Sequence, residues 1–366
     1  MIETSQIIKV LSTVLDPISG QNLIEKSMVR DLTIDGNQVK FTLELTSVNT
    51  PNKTELNFAC IEAIQKVYPM ANVHVHMMGK NADVTARENT SSVPQIKNII
   101  AVASGKGGVG KSTVAVNLAL ALKKTGAKVG LIDADLYGPS IPTMMGLHGQ
   151  KPKIQNVYGK SKIVPLEAFG IPVMSIGFII APEQAVVLRG PRLGSIITQF
   201  FKDTIWKDLD YLVVDLPPGT GDVQLSLVQT VPVTGVVMVT TPQEVATADA
   251  VKAMNMFLLP SVNVPILGVV ENMSWFTPKE LPDNKYYIFG KGGGAKMVEK
   301  SQSVLLGQIP IIQGIREAGD AGTPAVMQED AALQKYFMEV AEKTIQQINI
   351  RNEQKDPTQI VEITTG

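Results

Sequence analysis

The chain has 366 residues, with 33 Lys and Arg against 34 Asp and Glu, and its net charge of −1 gives no sign of a general nucleic-acid binder. The 44% hydrophobic and 18% charged content can bury a sizeable core and excludes a disordered chain. No window reaches the ~18 clean apolar residues of a membrane span. The nearest, residues 171–188, is broken by Pro172, Pro182, Glu183 and Gln184. The start, Met1 to Gln6, lacks the basic and apolar runs of a signal peptide, so a cytoplasmic protein is expected.

In chain order, residues 1–80 read as a small α/β unit. Gln6 to Leu15 has a helical pattern, Val39 to Leu45 alternates as a half-buried strand, Asn52 to Val67 is helical and Ala71 to Met78 is a second strand. Residues 81–97 are polar and read as a linker. Residues 98–350 form a larger unit in which short apolar runs alternate with helical patterns. Strands are expected at 98–104, 128–133, 171–176, 210–215, 234–240 and 266–271, and a terminal helix from Glu329 to Ile348. The fold class is α/β: a mostly parallel sheet with helices on both faces, preceded by a small α/β domain. Residues 351–366 are a polar tail, expected to be mobile.

The richest stretch is Gly105-Lys106-Gly107-Gly108-Val109-Gly110-Lys111-Ser112-Thr113, which fits the phosphate-loop pattern. Glycines let backbone N–H groups close on a phosphate. Lys111 offers a mobile charge to the β- and γ-phosphates, and Ser112 a hydroxyl to Mg²⁺. An apolar strand precedes the loop and a helical pattern runs from Ser112 to Leu122, so the phosphates would meet a helix N-terminus. Lys106 is either a solvated loop lysine or one that reaches a partner subunit's phosphates, as a trans arginine does in other NTPases.

Three carboxylates follow. Asp133 and Asp135 lie two apart at the exit of an apolar run, so they share one side of the strand. They are either turn and cap carboxylates or a pair facing the ligand crevice, one near Mg²⁺ and one orienting the attacking water. Asp215 ends Tyr211-Leu212-Val213-Val214, the usual placement of a Mg²⁺-linked carboxylate after a phosphate loop.

These motifs resemble the deviant phosphate-loop ATPases of the MinD and ParA superfamily. Within it, Asp133 to Pro142, Arg189-Gly190-Pro191, Asp215 to Asp222, Glu271 to Ser274 and Ile288 to Gly293 resemble the Mrp/ApbC branch of iron–sulfur cluster carrier ATPases. Residues 1–80, with Asp16-Pro17 after a helix, resemble an iron–sulfur-assembly accessory domain. The resemblance implies ATP and Mg²⁺ as cofactors, with Gly105 to Thr113 around the triphosphate. It makes Lys106 the cross-dimer lysine and has Lys111 contact the β- and γ-phosphates. Ser112 and Asp215 serve Mg²⁺, Asp135 positions water beside Asp133, and Asn272 hydrogen-bonds adenine. Gln308-Ile309-Pro310 lines the base pocket. It also implies a homodimer that closes on ATP, holds a bridging [4Fe–4S] cluster on paired Cys-x-x-Cys motifs, and serves assembly factors and apo iron–sulfur acceptors, with no nucleic acid or membrane.

The sequence departs from that pattern at the cluster. The window where the branch carries its cysteine pair, Trp275 to Ile288, contains none, and Val48-Asn49-Thr50 stands where another cysteine is common. Clusters need thiolates, and the chain has one cysteine, Cys60, expected in an apolar helix face. His74 and His76 share a strand face without a third ligand, and His148 stands alone. Lys291 to Gly294 lacks the spacing of a second phosphate loop and reads as a flexible turn opening a helix at Ala295. The leading function is therefore an ATP-hydrolysing cluster carrier. The alternatives are a nucleotide-dependent switch or scaffold without a cluster, a MinD- or ParA-like positioning ATPase, and a phosphate-loop kinase or ligase acting on a metabolite.

Overall fold

Alternation in a strand and a four-residue repeat in a helix fix the first core. The computed structural model describes residues 2–16, 20–45, 53–79, 93–135, 138–157, 159–179, 190–358 and 360–361. Leu136, Tyr137, Arg189, Pro17, Val48 to Thr50 and residues 80–92 of the expected linker lie outside them. The chain divides into two compact units, Met1–Glu88 with Glu353–Asp356, and Asn89–Asn352 with Pro357–Gly366.

The first unit contains α1 (Thr4–Leu11), β1 (Val29–Asp35), β2 (Gln38–Leu45), α2 (Lys53–Val67) and β3 (Asn72–Gly79). β2 is central, antiparallel to β1 and parallel to β3. Val39, Phe41 and Leu43 point to one face of β2, and Leu56, Cys60 and Ile64 line one stripe of α2. With Ile7 and Leu11 they close the core. Each such buried side chain contributes roughly 1.5–3 kcal/mol. Cys60 is fully buried, and burial pushes its thiol up to about 12.

The second unit is built on eight strands in the order β13-β12-β11-β4-β10-β5-β9-β8. They are β4 (Ile96–Ser104), β5 (Val129–Asp133), β8 (Leu166–Ala168), β9 (Ile171–Ser175), β10 (Leu209–Asp215), β11 (Gly235–Thr240), β12 (Ile266–Phe276) and β13 (Leu305–Ile311). Only β8 runs antiparallel to its neighbour. A separate ribbon pairs β6 (Lys153–Val157) with β7 (Lys160–Val164). The helices are α3 (Lys111–Lys124), α4 (Ile141–Met144), α5 (Gly190–Lys202), α6 (Asp222–Thr230), α7 (Glu244–Leu258), α8 (Gly293–Ser301), α9 (Gln313–Asp320) and α10 (Ala331–Gln354).

Both faces of the sheet are covered. Ile100 and Val102 of β4 pack with α3 and α10, whereas Ile99, Ala101 and Ala103 pack with α6 and α7. Continuous apolar strands are the signature of a parallel sheet buried on both sides. α3 is buried from Val114 through Leu122, so its polar groups concentrate at its ends. Strand order reverses about β4: the chain passes from β4 to β5 on one side, then from β10 to β11 on the other. A crevice at the carboxyl edge is the geometric result.

The six expected strands coincide with β4, β5, β9, β10, β11 and β12 within two residues, except that β12 runs on to Phe276. β13 escapes a sequence reading because Gly307, Gln308 and Pro310 interrupt it. An edge strand tolerates that proline. β6 and β7 escape because β6 is almost wholly exposed, β7 is only half-buried at its end, and neither carries an alternating apolar face. Val93 and Ile96 are buried in the second unit, so its packing starts inside the expected 81–97 linker. The expected mobile tail is helical to Gln354. Val361 then donates its N–H to the Val228 carbonyl at 2.9 Å and packs behind α6. Among the described residues, no helix is long and apolar enough to cross a membrane.

At pH 8, iodoacetamide is expected to leave Cys60 unmodified in the native protein and to label it fully in urea, read by intact mass. Equal labelling rates in both would contradict the buried thiol.

Candidate nucleotide-binding site

The loop from β4 to α3 is shaped by what surrounds it. A Cβ on Gly105 would lie 2.1 Å from the backbone of Asp249 and Ala250, so α7 leaves room only for glycine. Gly110 has φ +81° and precedes α3, and a Cβ there would meet Asn272 Nδ2 at 2.2 Å. From the other side, Asn272 Nδ2 donates to the Val109 carbonyl at 2.9 Å. The loop is thus wedged between α7 and β12. Gly107 and Gly108 face open space, and Thr113 accepts a hydrogen bond from Asn117 Nδ2 through its carbonyl.

Lys111 opens α3 and is only 6% exposed. Its Nζ lies 2.7 Å from Asp215 Oδ1, 3.4 Å from Asp135 Oδ2 and 3.3 Å from Ser112 Oγ. Asp133 and Asp215 are register partners on β5 and β10, and both are fully buried. Asp133 Oδ2 accepts from Ser175 Oγ at 2.9 Å, and Oδ1 accepts from the Asp135 N–H at 3.1 Å. Asp215 Oδ2 has no hydrogen-bond partner among the described residues. That buried acceptor, beside the Ser112 hydroxyl and under a phosphate loop, fits a hard divalent cation such as Mg²⁺.

Burial pushes the Asp133 carboxyl up to about 8, aided by the Asp215 charge and opposed by the Ser175 hydrogen bond. Burial also raises Asp215, with the Lys111 ammonium pulling it back. Burial therefore favours the protonated form of Asp133.

Lys106 extends to Gln243 Oε1 at 3.4 Å, and its carbonyl accepts from Ser104 Oγ. Pro310 lies buried in β13, next to Ile309, which pairs with Asn272. The sequence-read residues Gly105 to Thr113, Asp133, Asp135 and Asp215 converge on the crevice. Asn272 braces the loop in this state, a contact that spacing did not foretell.

Several contributors went unread. Ser175 ends β9 as the partner of Asp133, and a polar residue ending an apolar strand was the available signal. Glu271 is 1% exposed inside an apolar strand. Its Oε2 accepts from the Gly294 N–H at 2.6 Å, and its Oε1 from Ser274 Oγ and Gln308 Nε2. This corrects the reading of Lys291 to Gly294 as a flexible turn. α8 starts at Gly293, where a Cβ would lie 2.7 Å from the Pro242 carbonyl, so these glycines serve close packing. Gln224 carried no sequence signal, because its partners are backbone carbonyls.

The window from Trp275 to Ile288 closes on itself. Phe276 and Tyr286 exchange two backbone hydrogen bonds of 2.8 Å. Lys285 Nζ sits 4.3 Å over the Trp275 ring, which meets Tyr336 edge-on at 6.4 Å. No thiol is present in it. Among the described residues, no group of three His, Cys, Asp or Glu side chains is placed to hold a metal. The window does not fit a thiolate-held cluster.

Residues 95–345 match the model of the NUBPL iron-transfer P-loop NTPases. The chain belongs to that family. Residues 4–75 match the iron–sulfur cluster assembly protein model. An iron–sulfur cluster carrier protein of Synechocystis is 46% identical over 344 residues, covering 94% of this chain and 97% of its own. One from Deinococcus radiodurans is 43% identical, covering 97% and 98%. A nucleotide-binding protein from Archaeoglobus fulgidus, solved with ADP, superposes with TM-score 0.57 at 36% identity, over 66% of this chain and 93% of its own. This family is thus one of nucleotide-binding P-loop NTPases with an α/β fold.

The raised Asp133 carboxyl has a consequence for stability. Below its ordinary value of 3.8 it is protonated in both folded and unfolded chains. Between there and about 8 the unfolded chain releases the proton and the folded protein keeps it, so stability falls as pH rises. Asp133→Asn is expected to raise Tm by roughly 4 °C or more at pH 8, with the gain shrinking toward pH 5. An equal gain at both pH values, in a thermal melt of nucleotide-free protein, would contradict it.

Proposed function

We propose that this chain is an ATP-hydrolysing homodimer of iron–sulfur assembly, a cytoplasmic carrier that loads clusters and passes them to apo-proteins. The observation that carries the ATPase half is the buried Lys111 between Asp215 and Asp135, with Asp215 Oδ2 left as an open acceptor. The iron–sulfur half rests on the family and on relatives matched over nearly their whole length.

In this reading the loop amides of Gly105 to Thr113 cradle the phosphates. Lys111 exchanges its carboxylate partners for the β- and γ-phosphates. Ser112 and Asp215 would hold Mg²⁺, which neutralises charge on the phosphate oxygens. Asp135, 13% exposed at the crevice, orients the attacking water. Asp133 fixes the Asp135 backbone through the N–H it accepts. Lys106 leaves Gln243 to meet the partner subunit's phosphates. Asn272 keeps its Oδ1 for the adenine amino group while its Nδ2 braces Val109, and Pro310 lines the base pocket.

One observation favours a second reading, a nucleotide-driven switch or scaffold without its own cluster. A homodimer of this chain offers two Cys60 thiols at most, and both are buried, whereas a [4Fe–4S] cluster takes about four thiolate ligands. A cluster carried here would need ligands other than the Cys60 thiols. Iron and sulfide content after anaerobic purification separates the two readings. A Cys60→Ser variant should match the wild type in either case.

Lys111→Ala and Asp135→Ala are each expected to lower ATP turnover by at least about 100-fold. Lys111→Ala should also weaken nucleotide binding, and Asp135→Ala should leave it nearly intact. Wild-type turnover in both variants would end the ATPase reading.

A further inference from the structure

The six residues from Leu216 to Gly221 join the buried Asp215 to α6. Pro217 and Pro218 have no N–H, so this loop can make few backbone hydrogen bonds of its own. One side chain holds two of its carbonyls. Gln224, fully buried in the first turn of α6, donates through Nε2 to the Pro217 carbonyl at 2.8 Å and the Gly219 carbonyl at 3.0 Å.

On its other side the loop is clipped to the strand that feeds the phosphate loop. Leu216 N–H donates to the Val102 carbonyl at 3.0 Å, and Gly219 N–H to the Ser104 carbonyl at 2.8 Å. Ser104 Oγ in turn donates to the Lys106 carbonyl at 3.0 Å. Ser104 is thus shared between this loop and the phosphate loop. Gly219 can take the required φ of +93° because it lacks a Cβ. Gln224 Oε1 is buried and has no partner among the described residues, so both hydrogen bonds that the side chain makes go to the loop.

We propose that Gln224 is a positioning residue for hydrolysis, which holds the loop after Asp215 in register with the phosphate loop through Pro217, Gly219 and Ser104. This rests on the ATPase reading above. The side chain makes no hydrogen bond to Lys111 or to the three crevice carboxylates. Its effect passes through the loop that leaves Asp215, so it bears on turnover more than on affinity.

The test uses the full chain with Gln224→Met, which keeps the volume and removes both donors, and Gln224→Glu, which keeps the shape and sets an acceptor against two carbonyls. Both should bind MgATP within about threefold of wild type and lose at least roughly tenfold in kcat. Hydrogen exchange at the Gly219 amide should quicken by about tenfold or more, with amides of α3 and β5 unchanged. An unchanged Gly219 exchange overturns the proposal whatever kcat does, and so does an unchanged kcat. A general rise in exchange across α3 and β5 overturns it too, since that marks a residue needed only for folding. If the wild type itself does not hydrolyse ATP, the ATPase reading falls, and Gly219 exchange still decides whether Gln224 clamps the loop.

Discussion

The second unit is organised around one buried cation. Lys111 opens a helix whose middle is buried and mostly apolar, and its ammonium is almost out of reach of water. Desolvating that charge costs several kcal/mol unless a counter-charge is placed beside it. Asp215 and Asp135 provide that, and they reach it because β4 lies between β11 and β10 and the chain returns through β5 and β10 on one side. Removing one partner of such a pair leaves an uncompensated buried charge, typically worth about 3–5 kcal/mol. The buried ammonium therefore has its counter-charges supplied by the same unit.

A second polar centre works across β12. Glu271 and Asn272 are adjacent, so their side chains leave the strand on opposite faces. Asn272 braces the phosphate loop at Val109, and Glu271 holds the first turn of α8, Ser274 and Gln308. The segment between Ser274 and Gly294 thus has both ends tied to one carboxylate. Met273, at φ +56°, sits inside β12 where its register against β13 shifts between Asn272 and Phe276. One strand therefore links the nucleotide loop to the base of the Trp275–Ile288 window.

The parts legible in the sequence share a physical cause. The phosphate loop is readable because close approach to a phosphate demands glycine at fixed intervals with Lys and Ser beside it. Asp133 and Asp215 are readable because an apolar run ending in a carboxylate is costly without a function. The β4, β5 and β10 runs are readable because two-sided burial makes them continuously apolar. Contacts with backbone carbonyls leave no such trace. Gln224 clamps Pro217 and Gly219 through atoms common to every residue, and Gln243 receives Lys106 across 137 positions. β13 hides because an edge strand can keep a proline, and the helix expected from Ala295 starts two residues earlier, at Gly293, because its first turn is held by Glu271, more than twenty residues away.

The thiol-free window completes the physical picture. A segment that relies on a metal for its shape unfolds when the metal leaves, because binding energy and folding energy are then the same quantity. Residues 275–288 need no such support. Phe276 and Tyr286 tie the segment with paired backbone hydrogen bonds, and the Lys285–Trp275 contact adds about 0.5–1 kcal/mol at an exposed site. Trp275 rests against Tyr336 of α10, so the closure is anchored to the sheet's outer helix. The shape of this segment therefore follows from its own backbone pairing and ring contacts, closed by the pairing of Phe276 with Tyr286 and held through Trp275 by Tyr336.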